Sequence, residues 1–187
     1  MQPILREVPF SFETERLLIR GPLPGDGAVV RTAVLESLNE LRAWMPWAVN
    51  IPDETGYEAI IREKYLDYLA RRDLMMLLWL KGTDTLIGGS GLHKIDWRVP
   101  KFEIGYWVRT AYTGNGYITE AVKGITKLAF DVLGAKRVEI RCDSLNERSA
   151  AVARRAGYPL EATLRHHDRH HLTGNLRDTL IFALVAD

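Results

Sequence analysis

Gly114-Asn115-Gly116 stands between an alternating segment and a helical one, and its residue types point most directly to chemistry. Upstream, Phe102, Ile104, Tyr106 and Val108 alternate with Glu103, Gly105, Trp107 and Arg109, the period-two pattern of a strand with two different faces. Downstream, Ile118, Ala121, Val122, Ile125, Leu128, Ala129, Val132 and Leu133 recur at helical spacing, and Gly134 is placed to end that helix. A glycine turn feeding a helix N-terminus presents unpaired N–H groups and the positive end of the helix dipole to an approaching ligand. A phosphate or pyrophosphate fits that arrangement. Asn115-Gly116 would also suit a type I′ hairpin, but a helix follows it rather than a second strand. A dinucleotide-binding fingerprint would need a third glycine where Thr119 stands, which disfavours a Rossmann site.

Other residues carry weaker signals. His166, His167, His170 and His171 form two i,i+4 pairs that could bind a metal on a helix, but no helical pattern surrounds them and no carboxylate completes a set, so no metal is expected. A neutral histidine there could instead accept a proton or line a cleft. Asn146 is suited to cap a short helix, Glu147 to Ala156, with Gly157 at its C-terminal end and Ser149 in its first turn. Cys142 sits in the alternating run Val138, Ile140, Cys142 and reads as a small core residue rather than a nucleophile.

The elements that must position these groups follow from pattern. A first short strand lies around Leu17 to Arg20, ended by Gly21-Pro22 and Pro24-Gly25. Helical spacing runs from Asp26 to about Arg42 with a break near Ser37, and then comes an irregular aromatic segment, Trp44 to Trp47, which suits a core plug or the wall of a substrate entrance. Asp53 to Arg72 predicts an amphipathic helix, and Leu74 to Leu80 and Leu86 to Leu92 predict a hairpin. Gly88, Gly89 and Gly91 there suggest a bulge or close packing by another element. The central strand, the long helix and the strand Arg137 to Cys142 predict a parallel right-handed crossover. Strands at about Tyr158 to His166 and Asn175 to Val185 close the sheet, with a polar loop, His167 to Gly174, between them. The expected architecture is α/β (α+β): one mixed, mostly antiparallel sheet of about seven strands flanked by helices.

A chain of 187 residues suffices for one domain, and residues 1–187 are read as such. With 25 basic against 24 acidic residues, it lacks the excess of positive charge that nucleic-acid binding usually requires. No apolar run approaches a membrane span, no targeting segment is evident, and a lone cysteine suits a reducing, cytoplasmic setting.

The run GYWVRTAYTGNGYITEAV resembles the GNAT superfamily of acetyl-CoA-dependent N-acetyltransferases, within it the branch named for the RimJ and RimL enzymes. ETERLLIR at 13 to 20, LRAWMPWA at 41 to 48 and DSLNERSAAVARRAGY at 143 to 158 also resemble that branch, in order. The superfamily's coenzyme loop begins with Gln or Arg, where this chain has Ala111, and its two small residues fall on Gly114 and Gly116. The resemblance implies acetyl-CoA as cosubstrate, with the pantetheine arm along the Trp107 and Val108 backbone, an N–H there as oxyanion donor, and the pyrophosphate against Gly114, Asn115, Gly116, Tyr117, Ile118 and Thr119. Many members place a tyrosine at position 153, where this chain has Ala153, whereas the RimL-like branch uses a serine matching Ser149. It therefore implies Ser149 as the acid that protonates the departing thiolate, Asn146 as a coenzyme contact, and a base at Asp168, with Glu103 as the rival. Capping accounts for Asn146 and Ser149 equally well, and a surface salt bridge for either carboxylate. The implied acceptor is a primary amine, foremost the N-terminal amine of a protein such as a ribosomal protein. Polyamines, aminoglycosides and amino acids are alternatives, and so is a non-catalytic acyl-CoA-binding module. The acceptor is expected on the side bounded by Trp44, Trp47 and the His167 to His171 loop. A homodimer is expected from the branch resemblance alone.

Overall fold

The alternating segment becomes the middle of a sheet. In the computed structural model, which describes residues 2–186, eight strands run in the order β1-β2-β3-β4-β5-β6-β8-β7. They are β1 (Ser11–Glu13), β2 (Leu17–Arg20), β3 (Leu74–Leu80), β4 (Leu86–Asp96), β5 (Lys101–Val108), β6 (Arg137–Asp143), β7 (Leu160–Arg169) and β8 (Leu176–Val185). Only β5 and β6 pair in parallel. The sheet is mixed and mostly antiparallel, as the pattern predicts. Its extra strand is β1, too short to show a period in sequence.

Helices cover both faces. α4 (Tyr117–Lys127) buries Ile118, Ala121, Val122 and Ile125 in a cluster with Phe102, Ile104, Val138 and Ile140. Each such aliphatic side chain contributes about 1.5–3 kcal/mol by leaving water. α4 continues as one wider turn, Leu128–Val132, and Gly134 ends it at φ +69°. On the opposite face, Val30 and Val34 of α1 (Gly27–Glu36) and Tyr57 and Ile61 of α3 (Glu54–Leu69) pack on Leu77, Trp79 and Leu86. Between α1 and α2 (Leu38–Trp44), the predicted break falls at Ser37, whose buried hydroxyl accepts the Thr110 N–H at 2.9 Å. Asp53 caps α3 by accepting the Gly56 N–H.

Two features of the sheet create the site. First, β5 and β6 pair only through Lys101, Phe102 and Glu103, after which they part and leave the rest of β5 unpaired on that side. Second, the glycines of β4 make room for side chains that lie on the sheet. A Cβ at Gly89 would stand 2.4 Å from the Trp107 indole nitrogen, and one at Gly91 2.9 Å from the His93 ring. The predicted close packing is thus by the sheet itself, through side chains and through backbone, since a Cβ at Gly88 would stand 2.2 Å from the Trp107 carbonyl oxygen and one at Gly91 2.5 Å from that of Leu74. The pairing registers also shift between Leu78 and Trp79 and between His93 and Asp96.

The last hairpin corrects the predicted boundaries. β7 extends to Arg169, so His167, Asp168 and Arg169 belong to the strand, with His166, rather than to the loop. Pairing across the hairpin holds them there, with Asp168 opposite Arg177, although the register slips between Leu164 and Asp168 and His166 takes φ +49°. β4 likewise outruns its predicted end at Leu92 and reaches Asp96.

Candidate active site

Past Val108 the chain turns through Gly114 and Gly116, both at φ +80°, a conformation that glycine adopts without steric cost. The first main-chain bond of α4 runs from the Glu120 N–H to the Gly116 carbonyl, leaving the N–H groups of Tyr117, Ile118 and Thr119 without helical acceptors. The turn is pinned from behind by the chain between β1 and β2. Glu120 accepts from the Thr14 hydroxyl (2.6 Å), the Arg16 N–H (2.8 Å) and Arg16 Nε (2.6 Å), while Arg16 Nη1 donates to the Asn115 carbonyl at 3.0 Å. Burial pushes the Glu120 carboxyl up, and these donors more than offset it, leaving it below the ordinary range.

A groove of about 880 Å³ opens in front of this turn, bounded by Val108, Gly114, Gly116, Tyr117, Ile118 and Thr119 on one side and by α5 (Glu147–Arg155) on the other. Arg148 and Arg155 of α5 also line it, bringing two cations to the helix N-terminus. Pattern reading of the glycine turn misses both, because only the fold brings α5 across from it.

At the start of α5, beside the residues that line the groove but not among them, Asn146 Oδ1 accepts the Ser149 N–H at 3.0 Å, so Asn146 does cap α5. Ser149 Oγ donates to the Tyr106 hydroxyl at 3.1 Å, and that hydroxyl donates to the Ser149 carbonyl oxygen at 2.8 Å. Tyr106 spans the gap left by the parting of β5 and β6. Its burial raises the phenol well above the ordinary tyrosine value, so it stays protonated. Burial likewise raises the Cys142 thiol. Ala153 is fully buried and supplies no hydroxyl.

A second cavity, of about 480 Å³, lies on the α1–α3 face and shares β5 as a wall. Its lining is largely apolar and aromatic, including Met45, Trp47, Tyr57, Ile61, Met75 and Trp107, with Asp73, His93 and Ser90 at a polar end. Trp47 and Trp107 meet edge to face with ring centroids 6.3 Å apart. Trp47 therefore lines this cavity as well as packing, whereas Trp44 is not among the residues that bound it. His171 Nε2 lies 2.8 Å from the Arg42 carbonyl oxygen, which brings the β7–β8 loop against α2 on the same side. The clustered histidines do not line the cavity; the histidine that does is His93. Among the described residues, no group of three or more His, Cys, Asp or Glu side chains is placed to hold a metal ion.

The two carboxylates singled out in sequence are both engaged by cations. Asp168 Oδ2 accepts from Arg177 Nη2 at 2.7 Å, which, with the Arg169 N–H, holds its carboxyl below the ordinary range. Arg177 also stands 3.5 Å from Asp143, at the end of β6 that leads to Asn146. Glu103 Oε2 lies 3.0 Å from Lys94 Nζ and 3.5 Å from Arg141 Nε.

Comparison with known proteins agrees with this geometry. The acetyltransferase (GNAT) domain family matches residues 16–159. The Bacillus subtilis (strain 168) protein named "Putative ribosomal N-acetyltransferase YdaF" is 30% identical over 172 residues, 91% of this chain and 92% of that protein. The ribosomal-protein-serine acetyltransferase of Escherichia coli (strain K12) is 25% identical over 148 residues, 78% of this chain and 82% of that one. Among solved structures, the ribosomal L7/L12 α-N-protein acetyltransferase RimL in complex with coenzyme A superposes with a TM-score of 0.84 at 20% identity, covering 96% of this chain and 98% of that one. Strand, glycine turn, helix and parted sheet are thus those of an acetyltransferase, and the chain belongs to the GNAT family, on its RimJ/RimL-like branch.

Proposed function

We propose that the chain moves the acetyl group of acetyl-CoA to a primary amine, foremost the N-terminal α-amine of a protein such as a ribosomal protein. The observation that carries this reading is the β5 wall, shared by a groove suited to an anionic coenzyme and a separate cavity suited to an acceptor. The names of the curated relatives support a ribosomal-protein acceptor.

On this reading the pyrophosphate lies against the backbone of Gly114 to Thr119, with Arg148 and Arg155 as added counter-charges. The pantetheine arm follows the unpaired edge of β5 at Trp107 and Val108, where a main-chain N–H faces the thioester oxygen. Asn146 positions Ser149 and borders the coenzyme. The acceptor amine, once neutral, attacks the thioester carbon; the C–S bond breaks, and the thiolate takes a proton from the Ser149 hydroxyl. The proton shed by the new C–N centre as it becomes an amide restores the Ser149 hydroxyl, which Tyr106 orients by accepting from it. Holding both reactants aligned contributes on the order of 7 to 11 kcal/mol in favourable systems, so positioning is a large share of the rate. For the acceptor's proton, the carboxylate candidates are Asp168, which Arg177 weakens as a base, and Glu103, which is ion-paired with Lys94.

A second reading keeps the chemistry and changes the acceptor to a small amine, favoured by a cavity of about 480 Å³ whose size suits a small molecule. A screen of acetyl-CoA consumption across N-terminal peptides, polyamines, aminoglycosides and amino acids, with mass-spectrometric location of the acetyl group, decides between them. Protein N-terminal peptides are expected to be the best acceptors. Binding of CoA without transfer to any of these amines would reduce the chain to an acyl-CoA-binding module.

A further inference from the structure

We propose that His93, held in place by Asp73, is the catalytic residue that takes the proton from the acceptor's ammonium group. The inference rests on the acetyltransferase reading and assigns the base that this reading leaves between two cation-bound carboxylates.

The imidazole sits in a slot that the backbone has been shaped to provide. A Cβ at Gly91 would stand 2.9 Å from its Cε1 and 3.0 Å from its Nε2, and one at Gly105 would stand 3.3 Å from its Cδ2. Gly91 has φ +152°, outside the range that side-chain-bearing residues usually adopt. A side chain at either glycine would crowd the ring, and at Gly91 it would also meet the Leu74 carbonyl oxygen at 2.5 Å.

The ring's tautomer is set by its neighbour. His93 Nδ1 lies 2.8 Å from Asp73 Oδ2. A carboxylate only accepts hydrogen bonds, so Nδ1 carries the proton and, in the neutral ring, Nε2 holds the lone pair. Burial pushes the Asp73 carboxyl up, but the hydrogen bond and charge of His93, with Lys64, bring it below the ordinary value, so Asp73 is an anion at neutral pH. Nε2 has no hydrogen-bond partner among the described residues, and the ring lines the acceptor cavity together with Ser90, Gly105, Tyr106 and Trp107. Asp168 and Glu103, by contrast, each face a guanidinium or ammonium group.

The proton balance is complete. An acceptor R–NH₃⁺ gives one proton to Nε2, and the freed nitrogen lone pair bonds to the thioester carbon. The C–S bond breaks, the thiolate takes the Ser149 hydroxyl proton, the second ammonium proton passes from the new C–N centre to Ser149 to restore it, and the third stays on the amide. Imidazolium then releases its proton to solvent through the cavity mouth, giving amide, CoA thiol and one proton per turnover.

The charged and titratable groups around His93 are Asp73, Lys64 from α3, Lys94 on β4, and Glu103 and Tyr106 on β5, with Tyr57 across the cavity. Burial pushes Tyr57 up to about 12 and Tyr106 higher still, so neither phenol titrates near neutrality. A rate that rises with pH and loses that rise with the imidazole is therefore diagnostic.

The test is steady-state kinetics of the full chain between about pH 6 and about pH 9 with the best amine from the screen. His93→Gln is expected to lower kcat roughly 100-fold and to flatten the acid limb, with CoA affinity unchanged by calorimetry. Asp73→Asn, a change at a positioning residue, is expected to displace that limb while leaving CoA affinity intact. Retention of kcat and of the limb in His93→Gln, with the limb lost in Asp168→Asn or Glu103→Gln, overturns the inference and leaves the acetyltransferase reading standing. Should His93→Gln fail to bind CoA, Asp73→Asn decides, since an unmoved limb there also overturns it. A wild-type protein that acetylates no amine overturns the broader reading and this inference with it.

Discussion

The two cavities on either side of β5 recognise by different means. The groove is built mainly from backbone: positive-φ glycines, a helix N-terminus, and a strand edge left open where β6 turns away. The cavity proposed for the acceptor is lined mainly by side chains from α1, the segment after α2, α3, β3, β4 and β5. Backbone recognition tolerates changes of residue type as long as the turn keeps its shape, which is why Ala111 can replace the Gln or Arg of the superfamily pattern. Side-chain recognition shifts with each substitution, so on the proposed reading the acceptor side is where selectivity is set.

The largest effect should come from breaking the backbone side. Placing valine at both Gly114 and Gly116 forces two β-branched residues into the left-handed region at about 1–2 kcal/mol each, which for the pair corresponds to roughly a 30-fold to 1,000-fold loss of CoA affinity. Calorimetry on a folded double variant checks it, and wild-type affinity would remove the turn from the coenzyme site. Ser149→Ala comes next, with kcat lowered roughly 100-fold and CoA affinity nearly unchanged, since a proton donor matters mainly in the transition state. A variant with near wild-type kcat would leave Ser149 as part of a helix cap and shift attention to Tyr106.

Trp47→Ala should act on the opposite side. It opens the edge-to-face pair with Trp107 and is expected to raise the acceptor's KM roughly tenfold while CoA affinity holds. A change in coenzyme affinity instead would mean that the two cavities are less separate than their walls suggest. The smallest effect is on pH. Glu120 has a folded-state value below its unfolded one, so its stabilisation is present above about pH 4.3, the ordinary value, and is lost as the pH falls through the folded value. Glu120→Gln should therefore flatten the acid side of a plot of Tm against pH, changing stability by only about 0.5 kcal/mol at neutrality. An unchanged slope would move the tether of the turn to Arg16 and Asn115 alone.

The same contrast explains what could be read from sequence. The groove was legible because its parts are contiguous: Phe102 to Gly134 supplies strand, turn and helix within one stretch of local pattern. The Asn146 cap on α5 is legible because a cap and a first turn are local too. His93 escaped notice because its significance is not local. It depends on Asp73, twenty residues away, and on Gly91 and Gly105, whose missing side chains only the paired strands reveal as a slot. The glycine-rich β4 was the one hint, since such a strand must make room for something. Tyr106 was read as one more apolar position in an alternation, and its bond to Ser149 appears only once α5 folds over the gap. β7 ran past its expected end because polar residues in a paired hairpin resemble a loop in sequence.

The brief contact between β5 and β6 has a mechanical side. Lys101, Phe102 and Glu103 are the only residues of β5 that share a ladder with β6, whereas β4 and β8 hold their partners along most of their lengths. The sheet is in effect two plates seamed near one edge, with the Tyr106–Ser149 hydrogen bond as a stitch further along. Tension across the molecule concentrates on that seam. A molecule lodged between the plates beyond the last ladder pair fastens them where the strands no longer do, so occupancy of the groove and resistance to tearing rise together.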